Sequence, residues 1–306
     1  MTDQMYVIVV MVPSGAPFNR VLIDNAVSAV HGKVVDAQRV AVPVSLADHR
    51  EVVKFLIDCP DPEILSSQLR QLSDQHRIDI ALQSRLSRCR PYGLAVFDMD
   101  STLIACEVID ELARVAGVGA EVAEITARAM RGELDFDESF RTRLALLKGL
   151  DARAVDVLAE QLPVQSGLRE MTTTLKARGL KLAIFSGGFL PIAERLKNDY
   201  GFDDVVANEL EIRDGKVTGT IVPPIVNREY KAEALGALAG RLGIETDHCI
   251  AVGDGANDLS MMALAGLGIA FHAKPAVRAA SPIEITHIGL DGVCYLMGHE
   301  GEFAAA

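Results

Sequence analysis

Two aspartates separated by one residue, Asp98 and Asp100, stand directly after an apolar run that is typical of a buried strand. Because alternate residues of an extended chain point to the same side, both carboxylates can face one small volume. Two like charges so close repel each other and raise one pKa unless a cation lies between them. Oxygen ligands without a nearby histidine or cysteine favour Mg²⁺ over zinc. Taken alone, the pair is also explained by a strand-end aspartate that caps the next helix.

Three further segments bring polar groups to predicted element ends. Glycine backbone amides and a serine hydroxyl suit an anion, and a lysine ammonium can reach a phosphate as a point charge. Each feature is weak alone, but together and in this order they form a specific pattern. The residues concerned are Ser186 and Gly187 in SGG, Lys231 at a helix start, and Asp254, Asn257 and Asp258 in GDGAND.

The elements that must position these groups alternate between strand and helix from Leu94 onward. Such alternation predicts a mostly parallel sheet wrapped by helices, with ligands bound at the carboxyl ends of the strands. Residues 107–162 read as one long helical stretch, and Asp214-Gly215 between two β-rich arms predicts a hairpin. The predicted strands are Leu94–Asp98, Leu180–Gly188, Cys249–Gly255 and Leu267–Phe271.

The first ninety or so residues form a different pattern, with the order β-α-β-β-α-β that is typical of a ferredoxin-like α+β domain. No catalytic cluster occurs here, and the segment Ser87–Gly93 is predicted to be a linker. One face of such a sheet is covered by helices, so the other needs a partner. Its apolar strands could pack against a second copy or against the second half of the chain, and a homodimer is the prediction. The predicted strands are Tyr6–Val12, Lys33–Val44, Glu51–Cys59 and Arg77–Leu86, and the predicted helices lie in Asn19–Gly32 and Pro62–His76.

Composition narrows the class of protein further. The formal net charge of -12 argues against a nucleic-acid-binding surface, although a locally positive site for an anionic substrate stays compatible with it. The five cysteines are scattered and odd in number, so neither a disulfide framework nor a zinc site is expected, and a reducing cytoplasm is the predicted location. No apolar run is long enough to span a membrane, and the N-terminus does not resemble a signal peptide.

The four motifs DMDST, SGG, a lone lysine and GDGAND, in this order, resemble those of the haloacid dehalogenase superfamily of phosphotransferases. An aspartate at the second position of the first motif resembles the phosphatase branch. Within that branch the chain is similar to phosphoserine phosphatases, which carry a helical cap after the first motif. The resemblance covers the chain from about Leu94 to the end, whereas the N-terminal domain is similar to ACT-like extensions in element order alone.

The resemblance implies a mechanism and a metal. Asp98 is expected to attack phosphorus and form an aspartyl-phosphate, and Asp100 to act as general acid and then general base. Mg²⁺ is expected on Asp98, the backbone carbonyl of Asp100, and Asp254, with Asp258 orienting Lys231 without binding the metal directly. Ser186, Gly187, Lys231 and Asn257 are expected to bind the phosphoryl end of the substrate.

The same resemblance assigns substrate recognition to the region after the first motif. Glu107 is expected to take the substrate ammonium, Arg143 to grip its carboxylate with two hydrogen bonds, and Phe136 to line the cap. The implied reaction is Mg²⁺-dependent hydrolysis of O-phosphoserine, the last step of serine biosynthesis. The domain boundaries that follow are 1–88 for the ACT-like domain and 89–306 for the catalytic domain, with the cap at about 107–165.

Three other functions stay open at this point. A phosphotransferase would pass the phosphoryl group to another alcohol, such as homoserine. A phosphatase of the same superfamily could act on another small metabolite. A regulatory amino-acid-binding protein with a vestigial catalytic half belongs to a different class, and the intact DMDST, Lys231 and GDGAND argue against it.

Overall fold

The computed structural model describes residues 5–43, 45–46, 50–299 and 302–303 of the chain. The N-terminal elements are β1 (Met5–Pro13), α1 (Val21–Ala29), β2 (Lys33–Arg39), β3 (Arg50–Asp58), α2 (Pro62–His76), β4 (Asp79–Ser84) and α3 (Arg85–Arg88). The elements that follow are β5 (Leu94–Phe97), α4 (Val108–Ala116), α5 (Gly119–Met130), α6 (Phe136–Leu146), α7 (Arg153–Gln161), α8 (Leu168–Ala177), β6 (Lys181–Phe189), α9 (Leu190–Tyr200), β7 (Asp204–Arg213), β8 (Lys216–Val222), α10 (Arg228–Leu242), β9 (Cys249–Gly253), α11 (Leu259–Leu264), β10 (Leu267–Phe271), α12 (Pro275–Ala280), β11 (Glu284–Ile285) and α13 (Gly292–Leu296).

The N-terminal strands form an antiparallel sheet in the order β2-β3-β1-β4, which confirms the predicted ferredoxin-like element order. Alternate apolar residues of β1 and β3 face helices α1 and α2, so that residues such as Ile8, Phe55 and Leu65 are fully buried in one core. The strand β2 ends at Arg39, earlier than predicted, and Val44 lies outside the described residues. The ACT-like character of this domain stays a prediction.

The face of this sheet away from α1 and α2 is also buried. Val7, Val9 and Met11 of β1 are shielded from solvent, and α13 contacts β1 while β11 contacts β4. Lys54, on the same side of β3, binds Glu302 with 2.5 Å between Nζ and Oε1. The chain itself therefore packs against the surface that was expected to need a partner. A homodimer through this domain stays a prediction and would have to use another surface.

The chain divides into two compact units that do not follow a single cut in the sequence. The first unit combines the residues up to Tyr92 with Ser166–Leu175 and the residues from Ile269 onward. The second combines Gly93–Gln165 with Lys176–Gly268. The boundary at residue 88 between an ACT-like and a catalytic domain stays a prediction.

Arg88, which the sequence places in a linker, is instead fully buried at the end of α3. Its guanidinium donates to both carboxylate oxygens of Glu302, at 2.8 and 2.9 Å. It also donates to Gln83 Oε1 at 2.6 Å and to backbone carbonyl oxygens of Tyr295, Leu296 and Met297. A side chain held by so many acceptors fixes the start of the predicted linker within the first unit.

The second unit contains the predicted parallel sheet, whose strands here lie in the order β9-β5-β6-β7-β8. The first four are parallel, and β8 returns antiparallel to β7 through the turn at Asp214 and Gly215. Both turn residues have a positive φ, of 51° and 72°, so the predicted hairpin is confirmed. Elsewhere in the chain, β10 and β11 pair in parallel.

Four helices, α4 to α7, follow β5 in the second unit where the sequence predicts a single long helical stretch. Gly117, Gly132 and Gly149 adopt a positive φ between these helices. Glycine enters this left-handed region without strain and so ends a helix, which explains why the periodic pattern breaks. Within the described part of the chain, no helix combines the length and apolar character that a bilayer crossing requires.

Candidate active site

The carboxyl ends of β5, β6 and β9 bring the predicted polar groups to one edge of the sheet. Asp98 directly follows β5, and Asp254 directly follows β9, which is the parallel neighbour of β5. The backbone N–H of Asp98 donates to the carbonyl oxygen of Val252 at 2.9 Å, which holds the two strand ends in register. Ser186 and Gly187 lie near the end of β6, on the other side of β5. Adjacent parallel strands therefore position all of these residues side by side.

Lys231 lies in the first turn of α10 and is fully buried. Its ammonium lies 2.8 Å from Asp98 Oδ1 and 2.7 Å from Asp258 Oδ1. Burial alone would lower the pKa of this lysine, but the charges of Asp258 and Asp98 outweigh burial and raise it above its ordinary value. Lys231 is therefore a permanent cation within the acidic cluster.

Asp98, Asp254 and Asp258 each offer an oxygen, and these atoms lie within 4.8 Å of one another. All three residues are buried, and the Thr102 hydroxyl donates to Asp254 Oδ1 at 3.2 Å. Burial and the neighbouring charge of Asp258 raise the pKa of Asp98 well above its usual range, although Lys231 acts in the opposite direction. One lysine therefore does not neutralise three carboxylates, and this all-oxygen cluster suits a hard divalent cation.

Asp100 lies at the mouth of the same site and is partly exposed. Burial of its carboxyl group and the nearby charge of Glu107 raise the pKa of Asp100 to about 8, although a backbone hydrogen bond from Val108 opposes this shift. That bond joins Val108 N to Asp100 Oδ1 at 3.0 Å, and the Ser186 hydroxyl lies 3.5 Å from Asp100 Oδ2. Asp100 is therefore suited to carry a proton near neutral pH.

A tight turn between Asp100 and Glu107 brings these two carboxylates together. Ser101 adopts a positive φ of 59°, a conformation that residues other than glycine rarely adopt. Its hydroxyl donates to Glu107 Oε1 at 2.8 Å, which fixes the Glu107 side chain beside the turn. The residue after the second aspartate therefore orients one of the predicted substrate-binding groups.

The SGG segment lies close against Asp100. The Ser186 hydroxyl oxygen accepts a hydrogen bond from Gly188 N at 2.8 Å. A Cβ atom at Gly188 would lie 2.3 Å from Asp100 Oδ2, so a larger residue would displace this carboxylate. A Cβ at Gly187 would lie 3.3 Å from Cζ of Phe136, so the ring of Phe136 lies beside the SGG segment.

Arg143 of α6 is half-buried and faces the same group of carboxylates. Burial lowers the pKa of Arg143, while the negative charges of Asp110, Glu107 and Asp100 oppose this shift. Its Nε donates to the Ser139 carbonyl oxygen at 3.4 Å, and no carboxylate of the described residues lies within ion-pair distance of it. The guanidinium is therefore near the acidic groups of the site without being paired to any of them.

The structure thus places all of the predicted site residues in the second unit. Asn257 lies in a 3₁₀ turn at Ala256–Asp258, where its Oδ1 would meet a Cβ at Gly255 at 2.2 Å. The Gly255 N–H donates to Asp258 Oδ2 at 3.0 Å, which holds this loop over the acidic cluster. The roles assigned to the individual residues stay predictions.

Comparison with known proteins agrees with this geometry. Residues 95–263 match the haloacid dehalogenase-like hydrolase family. A phosphoserine phosphatase of Mycobacterium tuberculosis is 45% identical over 79% of this chain and 59% of its own length. Another from Vibrio cholerae is 47% identical over 83% of this chain and 77% of its own length. The chain belongs to the phosphoserine phosphatase branch of this hydrolase family.

A solved structure points to the same branch. A phosphoserine phosphatase described as a phospho-aspartyl intermediate analogue superposes with a TM-score of 0.64 and 40% identity. The match covers 67% of this chain and 99% of the solved one. The chain spans about three fifths of the length of the Mycobacterium relative, at 59%, so the activity of the whole protein is treated below as a proposal.

Asn208 is a buried residue of this phosphatase-like site that the sequence did not single out. Its side-chain amide donates to the Gly187 carbonyl oxygen at 2.7 Å and accepts from Val226 N at 2.9 Å. Asn208 thereby joins the SGG segment at the end of β6 to the segment that precedes α10. The sequence does show a polar side chain within a segment rich in strand-forming residues. The residues to which Asn208 bonds are distant in the sequence, so its role could not be predicted.

Proposed function

We propose that this protein hydrolyses O-phosphoserine to serine and phosphate through an aspartyl-phosphate at Asp98. The observation that carries the proposal is the arrangement of Asp98 against Lys231, at 2.8 Å, with the carboxyl group of Asp100 two residues further along. The phosphoserine phosphatases to which the chain is similar support the same reaction. A nucleophile, a fixed cation and a proton donor are thereby present together.

The first chemical step transfers the phosphoryl group to the protein. A carboxylate oxygen of Asp98 attacks phosphorus, a new P–O bond forms, and the ester P–O bond to serine breaks. The Asp100 carboxyl group gives its proton to the departing serine oxygen, which leaves as a neutral hydroxyl. The raised pKa of Asp100, at about 8, supports this role because the group holds a proton at neutral pH.

The second step releases phosphate. Asp100, now ionised, takes a proton from a water molecule whose oxygen attacks phosphorus. The bond between phosphorus and the Asp98 oxygen breaks, which restores the carboxylate. Lys231, the Ser186 hydroxyl and the Gly187 backbone N–H would hold the negative phosphoryl oxygens in both steps.

A divalent cation fits the residues that are present. The buried oxygen donors of Asp98, Asp254 and Asp258 carry more negative charge than Lys231 can balance. We propose that Asp98, Asp254 and the backbone carbonyl of Asp100 hold Mg²⁺, and that Asp258 orients Lys231 through their contact at 2.7 Å. When bound, Mg²⁺ would neutralise part of the charge on the carboxylates and on the phosphoryl group.

Selection of the serine part of the substrate is assigned to the cap. Arg143 has no carboxylate partner among the described residues and is proposed to bind the substrate carboxylate. Glu107, which Ser101 holds at 2.8 Å, is proposed to bind the ammonium group. Phe136, beside Gly187, would exclude water from the phosphoryl group, and Asn257 would contact the substrate from the GDGAND loop.

The test is a phosphate-release assay with O-phospho-L-serine and Mg²⁺. We expect release that stops in excess chelator and returns when Mg²⁺ is restored, and that is weaker with phosphothreonine or with p-nitrophenyl phosphate. Preference for another metabolite, or activity that survives the chelator, would contradict the proposal. Less free phosphate and a new phosphate ester in the presence of homoserine would instead identify a phosphotransferase.

The remaining proposals concern the rest of the chain. Residues 1–88 are proposed to form an ACT-like domain that has no catalytic residue and is regulatory or dimerising. A cytoplasmic location is proposed on the basis of the five cysteines, which are scattered along the sequence and form no C-x-x-C motif. Light scattering tests the dimer, and serine inhibition that disappears with changes in this domain would test its regulatory role.

A further inference from the structure

Asn227 occupies a junction between the cap and the helix that carries Lys231. Its side-chain oxygen accepts from Tyr230 N at 3.1 Å, which caps α10, and its backbone oxygen accepts from Lys231 N at 3.0 Å. Its side-chain nitrogen donates to Asp137 Oδ1 at 3.2 Å. The side chain of Asn227 therefore forms the N-cap of α10 and also contacts α6, which is one of the helices of the cap region.

Asp137 lies beside the residues of α6 that face the site. Its neighbour Phe136 lies beside Gly187, and Arg143 projects from the same side of α6 as Phe136, seven residues further along. Asp137 instead faces a cavity of about 650 Å³ between α6 and the segment from β8 to α10. Phe140, Leu144, Ile225 and Asn227 are among the other residues that line this cavity.

In the part of the chain that the structure describes, no other side-chain hydrogen bond or ion pair joins α6 to the first turn of α10. The walls of the cavity are mainly apolar and leave open space between the cap helix and α10. The bond between Asn227 and Asp137 crosses this space at the beginning of both helices. A hydrogen bond to a charged acceptor is stronger than one between neutral groups, so this single bond can hold the start of α6 against the start of α10.

We propose that Asn227 is a positioning residue that fastens α6 to the N-terminus of α10, and so couples the position of this cap helix to that of Lys231. This inference rests on the proposed function and adds to it a named connection between substrate recognition and phosphate binding. It predicts that weakening the bond impairs capture of the serine part of the substrate, because Phe136 and Arg143 move with α6. Lys231 keeps Asp98 and Asp258 as partners, so the chemical step is affected less.

Exchanging the two side chains tests the connection. Asn227→Asp keeps an oxygen that caps α10, but places two carboxylates against each other. Asp137→Asn keeps an acceptor for Asn227 and serves as the matched control. The double variant restores a donor, now on residue 137, facing a carboxylate on residue 227.

We expect Asn227→Asp to lower kcat/KM for phosphoserine roughly tenfold, mostly through KM, since one hydrogen bond to a charged group is lost. Asp137→Asn should stay within about twofold of wild type, and the double variant should recover most of the loss. The loss should be smaller with p-nitrophenyl phosphate, which has no carboxylate for Arg143. If Asn227→Asp unfolds at lower temperature, Asn227→Ser replaces it, because serine also caps a helix but cannot donate across the gap.

Two outcomes would overturn the proposal. A loss that the double variant does not recover would show that Asn227 acts through capping or folding alone. Equal kcat/KM in all four proteins would show that the bond does not hold the cap. Failure of the proposed function is visible separately, since wild type would then not hydrolyse phosphoserine, and the same four proteins could be compared on whichever phosphate ester it does hydrolyse.

Discussion

Two clusters of buried charge lie in the two units of this protein, and they are balanced in opposite ways. In the second unit, three carboxylates lie together, and the ammonium of Lys231 contacts two of them, Asp98 and Asp258. In the first, the guanidinium of Arg88 and the ammonium of Lys54 surround the single carboxylate of Glu302. Burial raises the pKa of Asp98 in the first case, whereas in the second the cations outweigh burial and lower the pKa of Glu302 to about 2.

The difference separates a cluster that stabilises the fold from one that is prepared for a ligand. Every donor of Arg88 points to an acceptor within the chain, so its cluster is complete. The aspartates of the second unit lack enough positive charge, and their carboxylates repel one another unless a cation is bound. Clusters of groups with raised or lowered pKa values often mark active sites, but only the unbalanced one calls for an additional partner.

The largest expected effect is on catalysis. Asp98→Asn keeps the shape of the side chain and removes the nucleophilic charge, so we expect turnover to fall by at least ~10³-fold. Because one of three repelling carboxylates is removed, the thermal unfolding temperature should not fall. A variant that keeps more than a tenth of wild-type turnover would refute the role of Asp98, and one that is less stable would refute the unbalanced state of the cluster.

Removing the carboxylate from the cluster of Arg88, Lys54 and Glu302 should instead lower the stability of the protein. Glu302→Ala leaves Arg88 and Lys54 buried without their carboxylate, so we expect the free energy of unfolding to drop by about 3 kcal/mol. Denaturant unfolding measures this change. The matched control is Glu51→Ala, because Glu51 pairs with the exposed Arg39 at 2.9 Å and should contribute little. Equal effects in both variants would remove the distinction between a buried network and a surface pair.

Substitution of Arg143 tests the role of a cation that lies near the acidic groups of the candidate active site. Arg143→Ala should lower kcat/KM for phosphoserine at least ~30-fold, about 2 kcal/mol, because a desolvated pair with the substrate carboxylate is lost. The loss should be much smaller with p-nitrophenyl phosphate, and stability should change little since no described carboxylate pairs with Arg143. Equal losses with both substrates would assign Arg143 to the phosphate or to the fold.

The smallest effect concerns the pH dependence of stability. The pKa of Glu302 is lowered from 4.5 to about 2, so its stabilising contribution is complete above about pH 4.5 and is lost as the pH falls toward about 2. The shift corresponds to about 2 kcal/mol after allowance for solvent screening. The stability difference between wild type and Glu302→Ala should therefore narrow over this range. A constant difference would show that Glu302 acts through packing instead of charge.

Local pattern predicted the positions of the catalytic candidates well. Asp98, Ser186 and Asp254 each follow a short apolar run, and adjacent parallel strands bring such ends together. The ferredoxin-like order and the hairpin at Asp214 were also predicted from patterns that involve only neighbouring residues. Arg143 and Phe136 entered only through resemblance, since a helical arginine or phenylalanine has no local signature of function.

Contacts between distant positions were not accessible to the same reasoning. Arg88 and Glu302 are 214 positions apart, and nothing near Arg88 in the sequence distinguishes it from a linker residue. Asn208 and Gly187 are 21 positions apart, and their hydrogen bond depends on the alignment of β6 with β7. The four cap helices were missed because glycine turns interrupt an apolar period that otherwise continues across them.

The contact between Lys54 and Glu302 joins residues 248 positions apart, and this separation has a consequence during synthesis on the ribosome. Strand β1, which carries Val7, Val9 and Met11, leaves the ribosome long before α13 and Glu302 are synthesised. At about 5–20 residues per second, the apolar face of this sheet waits roughly 10–50 s for the residues that pack on it. The nascent sheet therefore leaves this apolar face uncovered until the residues up to Glu302 have been synthesised.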